Sequence, residues 1–106
     1  MAGATPTQNS LKLLRKEYDL VWVTEHWCHF SRKRKDLWGF ADILAIREDE
    51  VCAVQTTSYS NLSARVKKIA NHENVDAVRN AGIRILCHGW KKNSRGRWEV
   101  KVVDCS

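Results

Sequence analysis

The chain has 106 residues, 43% of them hydrophobic and 28% charged, with a formal charge of +6. That composition supports one folded domain and argues against disorder. No apolar run approaches the ~20 residues of a membrane span and no signal-peptide core opens the chain, so no membrane partner is expected. The positive field favours a polyanion, nucleic acid before an anionic membrane. Residues 1–10 form a polar leader holding the only proline, Pro6, and are expected to be flexible; a single domain is expected over 11–106. Ser10 is a plausible cap for a helix over about 11–18, where Leu11, Leu14 and Tyr18 recur at helical spacing.

A strand follows in 21–25, with Val21, Val23 and Glu25 on one face and Trp22 and Thr24 on the other. The basic run 31–36 reads as an exposed loop. Gly39 permits a bend before a second strand, whose Ile43, Leu44, Ala45 and Ile46 are apolar on both faces and predict a central, doubly covered position. Residues 47–50 form a turn, and a third strand runs through Gln55. Residues 59–82 are helical, with Leu62, Val66 and Ile69 as one stripe, a break near 72 and a stop at Gly82. A fourth strand over 83–90, a basic turn, and a fifth strand complete the chain. The apolar face of the last is expected to be Trp98, Val100 and Val102. Helix, three strands, helices and two strands make an α/β fold, the long helical segment forming the crossover.

The chemistry concentrates in "GFADILAIREDEVCAVQTTS", residues 39–58. A lone carboxylate at the start of an apolar strand is costly to bury. Asp42 is therefore expected to face a cleft, accept several hydrogen bonds or hold a metal. Antiparallel pairing centred between residues 48 and 49 would set Gln55 opposite Asp42, and the two-residue period would put Thr57 on the face of Gln55. An acid, an amide oxygen and a hydroxyl suit a hard divalent cation, Mg²⁺ or Mn²⁺, which can activate water and neutralise charge on a phosphate. The plainer alternatives are a backbone-capping Asp42, a strand-end Gln55, and a Thr57 that is an ordinary β-former.

"LWGFADILAI" followed by "VCAVQTTS" resembles the PD-(D/E)xK nuclease superfamily, in particular its small phage-type, VRR-NUC and Holliday-junction-resolvase-like members. Gly39 and Asp42 match the first part of the motif and Gln55 matches its Glu/Gln. The upstream family glutamate corresponds best to Glu25, with Glu17 second. The resemblance covers about residues 10–104. It implies a restriction-endonuclease-like fold, a mixed sheet of about four to five strands flanked by helices, and divalent-metal-dependent cleavage of DNA. It also implies metal ligation by Asp42, Gln55 and Glu25, a phage or prokaryotic cell interior, and a homodimer as one assembly. At the lysine position of the motif this chain carries Thr57, which has no charge. Arg65 flanks the Leu62/Val66/Ile69 stripe and is the expected substitute, as an electrostatic clamp rather than a base. A solvated helix-flank arginine is its plainer alternative, and a surface carboxylate that of Glu25.

Basic residues cluster at Arg32, Lys33, Arg34 and Lys35, at Lys67 and Lys68, and at Lys91 and Lys92. They are the expected contacts to a nucleic-acid backbone. Trp38 and Trp90 lie beside basic segments and could stack on a base, although core packing is the commoner fate. Cys28, Cys52, Cys87 and Cys105 are expected to be reduced, and the His/Cys spacing is a poor match to structural zinc. Two other functions fit the same residues: a DNA-binding module without catalysis, and a structural or protein-interaction domain.

Overall fold

The computed structural model describes residues 4–106. Its first helix, α1, spans Pro6–Glu17 and so begins inside the segment expected to be a flexible leader. Thr5 is the N-cap: its hydroxyl accepts from the amide of Gln8, whose side chain in turn accepts from the Thr5 amide. Pro6 occupies the first turn, where its missing N–H costs nothing. Ser10 is therefore not a cap. It is buried within the helix.

The strands are β1 (Leu20–Val23), β2 (His26–Cys28), β3 (Lys33–Lys35), β4 (Ile43–Arg47), β5 (Glu50–Ser58), β6 (Arg84–Lys92) and β7 (Trp98–Asp104). Five of them form one mixed sheet in the order β1-β4-β5-β6-β7, with β5 central; β2 and β3 form a separate two-stranded sheet. The basic run expected to be a loop thus supplies a strand of a hairpin. Between β5 and β6, which are parallel, come a 3-10 turn (Tyr59–Asn61), α2 (Leu62–Ala70) and α3 (Val75–Asn80).

Alternation along the strands builds two cores. On one face Ile43, Ala45, Cys52, Val54 and Leu86 pack against Leu14 of α1 and Tyr18, which caps its C-terminus. On the other, Ala53, Ile85 and Cys87 pack against Leu62, Ile69, Val75 and Val78 of the second helical layer. β4 and β5 are covered on both sides, as their unbroken apolar runs predict. β6 approaches α2 so closely that a Cβ at Gly89 would lie 2.9 Å from the Leu62 side chain. β7 differs from expectation. Trp98 and Val102 are exposed, and Val103, on the opposite face, packs on the core. As the edge strand it pairs on one side only, with β6.

The β4–β5 turn is fastened at the end of the sheet away from Asp42. Glu50 accepts from Arg84 at 2.6 Å and from Arg47 at 3.0 Å, and Arg84 also reaches Asp104 at 3.1 Å. All four cysteines are free thiols. No helix among the described residues is long and apolar enough to cross a membrane.

Candidate metal site

The β4–β5 register pairs Ile43 with Val54, and its next step brings Asp42 to Gln55. The Asp42 amide donates to the Val54 carbonyl at 2.9 Å. The Gln55 Nε2 donates to Asp42 Oδ2 at 2.7 Å, and that same oxygen accepts from the Thr56 amide at 2.9 Å and the Thr56 hydroxyl at 3.2 Å. Three donors on one oxygen fix the carboxylate and leave Oδ1 for another partner. Because a carboxylate requires a donor opposite it, the Gln55 amide is oriented with nitrogen toward Asp42; its oxygen is left over.

Two further carboxylates arrive from the β2–β3 hairpin. That hairpin pairs His26 with Lys35, so one more step sets Glu25 opposite Asp36 at its base. Glu25 is held from the other side as well, because its amide donates to the Asp42 carbonyl at 3.3 Å and the neighbouring Thr24 amide does so at 2.8 Å. Oxygens of Glu25, Asp36 and Asp42 all lie within 4.8 Å of one another, Asp42 buried and the other two half-buried. Oxygens on opposite sides of a hard cation are ~4–5 Å apart, so the donor type and span fit Mg²⁺, Mn²⁺ or Ca²⁺.

The electrostatics match the geometry. Burial above all, opposed by the Thr56 amide and reinforced by Asp36 and Glu25, pushes the Asp42 carboxyl up to about 6. Asp36 is also raised, by desolvation first and by Glu25 second, while Lys68 and Arg65 pull it back. Burial is the main cause in both, and the neighbouring carboxylates add to it, so a cation bound here would relieve both.

The triad opens on a cleft of ≈ 230 Å³ whose walls include Thr7, Arg34, Gln55, Thr56 and Arg65. Arg34 is tied to Glu25 at 2.7 Å. Arg65 reaches the cleft from α2, as its helical phase implied. Glu25, Asp42, Gln55 and Arg65 therefore converge. Thr57 does not line the cleft; Thr56, one residue earlier, makes the contacts to Asp42 and also meets the Thr7 hydroxyl at 3.0 Å. Asp36 escaped sequence reasoning because it closes a basic run. Its signal was its mirror position to Glu25 about the hairpin.

Of the expected nucleic-acid contacts, Arg32, Lys33, Arg34, Lys35, Lys67, Lys68, Lys91 and Lys92 are all exposed. Arg34, Lys35 and Lys68 line a groove with Asp36 beside the cleft. Lys91 and Lys92 end β6 at the same end of the sheet, Lys91 lying 4.4 Å over the Tyr59 ring. Trp90 is buried with its Nε1 donating to Ser10 at 2.8 Å, and half-buried Trp38 packs against the core; neither presents a free stacking face. No protein-family model, curated protein or solved structure matches the chain.

Proposed function

We propose that the chain is a divalent-metal-dependent DNA endonuclease with a restriction-endonuclease-like fold, of the PD-(D/E)xK type. The observation that carries this reading is the convergence of Glu25, Asp36 and Asp42, with their oxygens within 4.8 Å, at the end of the central strands and beside Arg65. Glu25, Asp36 and Asp42 Oδ1 would hold Mg²⁺ or Mn²⁺, and the Gln55 oxygen, its nitrogen being turned to Asp42, would be a further ligand. A cation there would neutralise phosphate charge and make water a better nucleophile at neutral pH. Gln55 and Thr56 keep the Asp42 carboxylate in one orientation. Arg65 supplies fixed positive charge for the oxygens of a phosphoryl group under attack. Arg34, Lys35 and Lys68 grip the flanking backbone.

The test is cleavage of supercoiled plasmid and of branched duplexes with Mn²⁺, with Mg²⁺ and with chelator. Metal-dependent nicking that falls at least ~100-fold in Asp42→Asn, the scale of losing one transition-state contact, is the expected outcome. Absence of cutting by the native chain on every substrate, or equal cutting by the variant, refutes the reading. A second reading, a binding module without catalysis, is favoured by one observation. No lysine lines the cleft among the described residues, and Thr57 stands where the motif has one. Salt-sensitive DNA binding without cutting would support it.

A further inference from the structure

The β2–β3 hairpin stands apart from the main sheet and carries features that metal ligation does not use. Residues 26–35 include Arg32, Lys33, Arg34 and Lys35 and no acid. Trp27 is 52% exposed and Phe30, in the turn, is 102% exposed. Large aromatics left in water on a cationic arm call for a partner that is both apolar and anionic. We propose that this hairpin binds single-stranded or splayed nucleic acid, stacking unpaired bases on Trp27 and Phe30 and guiding the attached phosphates into the acidic cleft.

The choice of occupant follows from the side chains. Phe30 has no hydrogen-bonding group, so it can neither grip a phosphate nor read a base edge. What it offers is a flat face, and unpaired bases present matching faces that a closed duplex keeps stacked on one another. The cations beside it supply the backbone contacts. The register supplies the connection to the site. Trp27 is the cross-strand partner of Arg34, and such partners share a face. Arg34 in turn reaches Glu25 at 2.7 Å. Trp27 itself stands one pleat, ~7 Å along the backbone, from Glu25, so a base stacked on it would be close to the acidic cleft. This assignment rests on the nuclease reading for its purpose, since it names the kind of DNA presented to that cleft, but its binding surface is separate from the metal ligands.

The test uses the full chain in chelator, so that nothing is cut. Anisotropy of labelled oligothymidylate is compared with that of its blunt duplex with oligodeoxyadenylate. The native chain should prefer the single strand. Trp27→Ala and Phe30→Ala should each weaken single-strand binding at least ~5-fold, the low end for loss of one stacked base, while duplex binding stays nearly unchanged. Trp27→Phe should restore binding and Trp27→Leu should not, which separates stacking from general apolarity. Both positions are exposed, so unchanged melting curves will confirm intact folds. Equal affinities of native and variant chains, a leucine that serves as well as phenylalanine, or loss confined to anionic vesicles would overturn the proposal. The two readings also fail separately. Trp27-dependent binding in a chain that never cuts sinks the nuclease alone. Mn²⁺-dependent cutting indifferent to both aromatics, with no single-strand preference, sinks the hairpin's role alone.

Discussion

Asp42 carries the strongest local conflict in the chain. Its carboxyl is raised from 3.8 to about 6, so between those values the folded chain binds protons that the unfolded chain has released. Stability from this group therefore falls as pH rises through that window and stays low above it. At ~1.36 kcal/mol per unit the cost approaches 3 kcal/mol at neutral pH. Asparagine should remove it at little expense, because the three donors from Gln55 and Thr56 converge on one oxygen that asparagine keeps. Asp42→Asn is thus expected to raise unfolding free energy by ~1–3 kcal/mol at pH 7 in metal-free buffer, measured by urea denaturation. Equal or lower stability would show that the carboxylate is not strained. The meeting of Asp42 and Gln55 was legible once the turn was taken to centre between residues 48 and 49, the register the structure adopts; a one-residue slip would have separated them. The choice of Thr56 over Thr57 was not. Face alternation points Thr57 the way of Gln55, but a main-chain amide and a hydroxyl near a strand end can turn toward a neighbouring carboxylate regardless of face.

Two elements were misread, for different physical reasons. Helix α1 was hidden by the polarity of its first turns, yet Thr5, Pro6 and Gln8 spell a capping box with proline at the first helical position. The helix docks through Ser10, whose hydroxyl accepts from Trp90 Nε1 at 2.8 Å and bonds His88 Nδ1 at 2.9 Å. Having accepted from the indole, Ser10 has its own proton to give a neutral imidazole. Ser10→Ala strands two buried polar groups, at ~1–3 kcal/mol each. An expected loss of ~2–6 kcal/mol, read by denaturation and by altered Trp90 fluorescence, checks this docking; a neutral substitution would contradict it. The β2–β3 hairpin was missed because strands of three residues, HWC and KRK, show no apolar alternation. Between the hairpin and β4 the chain turns at Trp38 and Gly39, with φ of 59° and 90°. A Cβ at Gly39 would lie 2.5 Å from the His72 ring, so the bend expected of this glycine also admits the histidine.

Across the whole molecule, acid response sums opposing groups. Burial lowers His88 from 6.5 to about 4. Its stabilisation is complete above 6.5 and is lost as pH falls toward 4, the reverse of the Asp42 trend over much of the same range. The contributions of these two groups should therefore largely cancel between about pH 4 and 6 in the native chain without metal. In Asp42→Asn the stability profile should be steeper than in the native chain, with stability falling as pH drops; parallel profiles in the two proteins would contradict the assignment. The +6 charge acts at this scale too, and any nucleic-acid affinity should fall steeply with salt. The layered α/β arrangement was legible from periodicity, because each core strand and helix must bury its own apolar face. The joining of two hairpin bases into one acidic pocket depends on tertiary placement, which no local pattern encodes.

Everything in the functional reading depends on Glu25, Asp36 and Asp42 acting together on one cation. Calorimetric titration of the apo chain with Mn²⁺, alongside Asp36→Asn, tests this most directly, because Asp36 comes from the hairpin and not from the strand motif. One ion bound per native chain, with affinity falling at least ~10-fold in the variant, is the expected result for losing a hard ligand. No binding by the native chain, or undiminished binding by Asp36→Asn, would contradict the account.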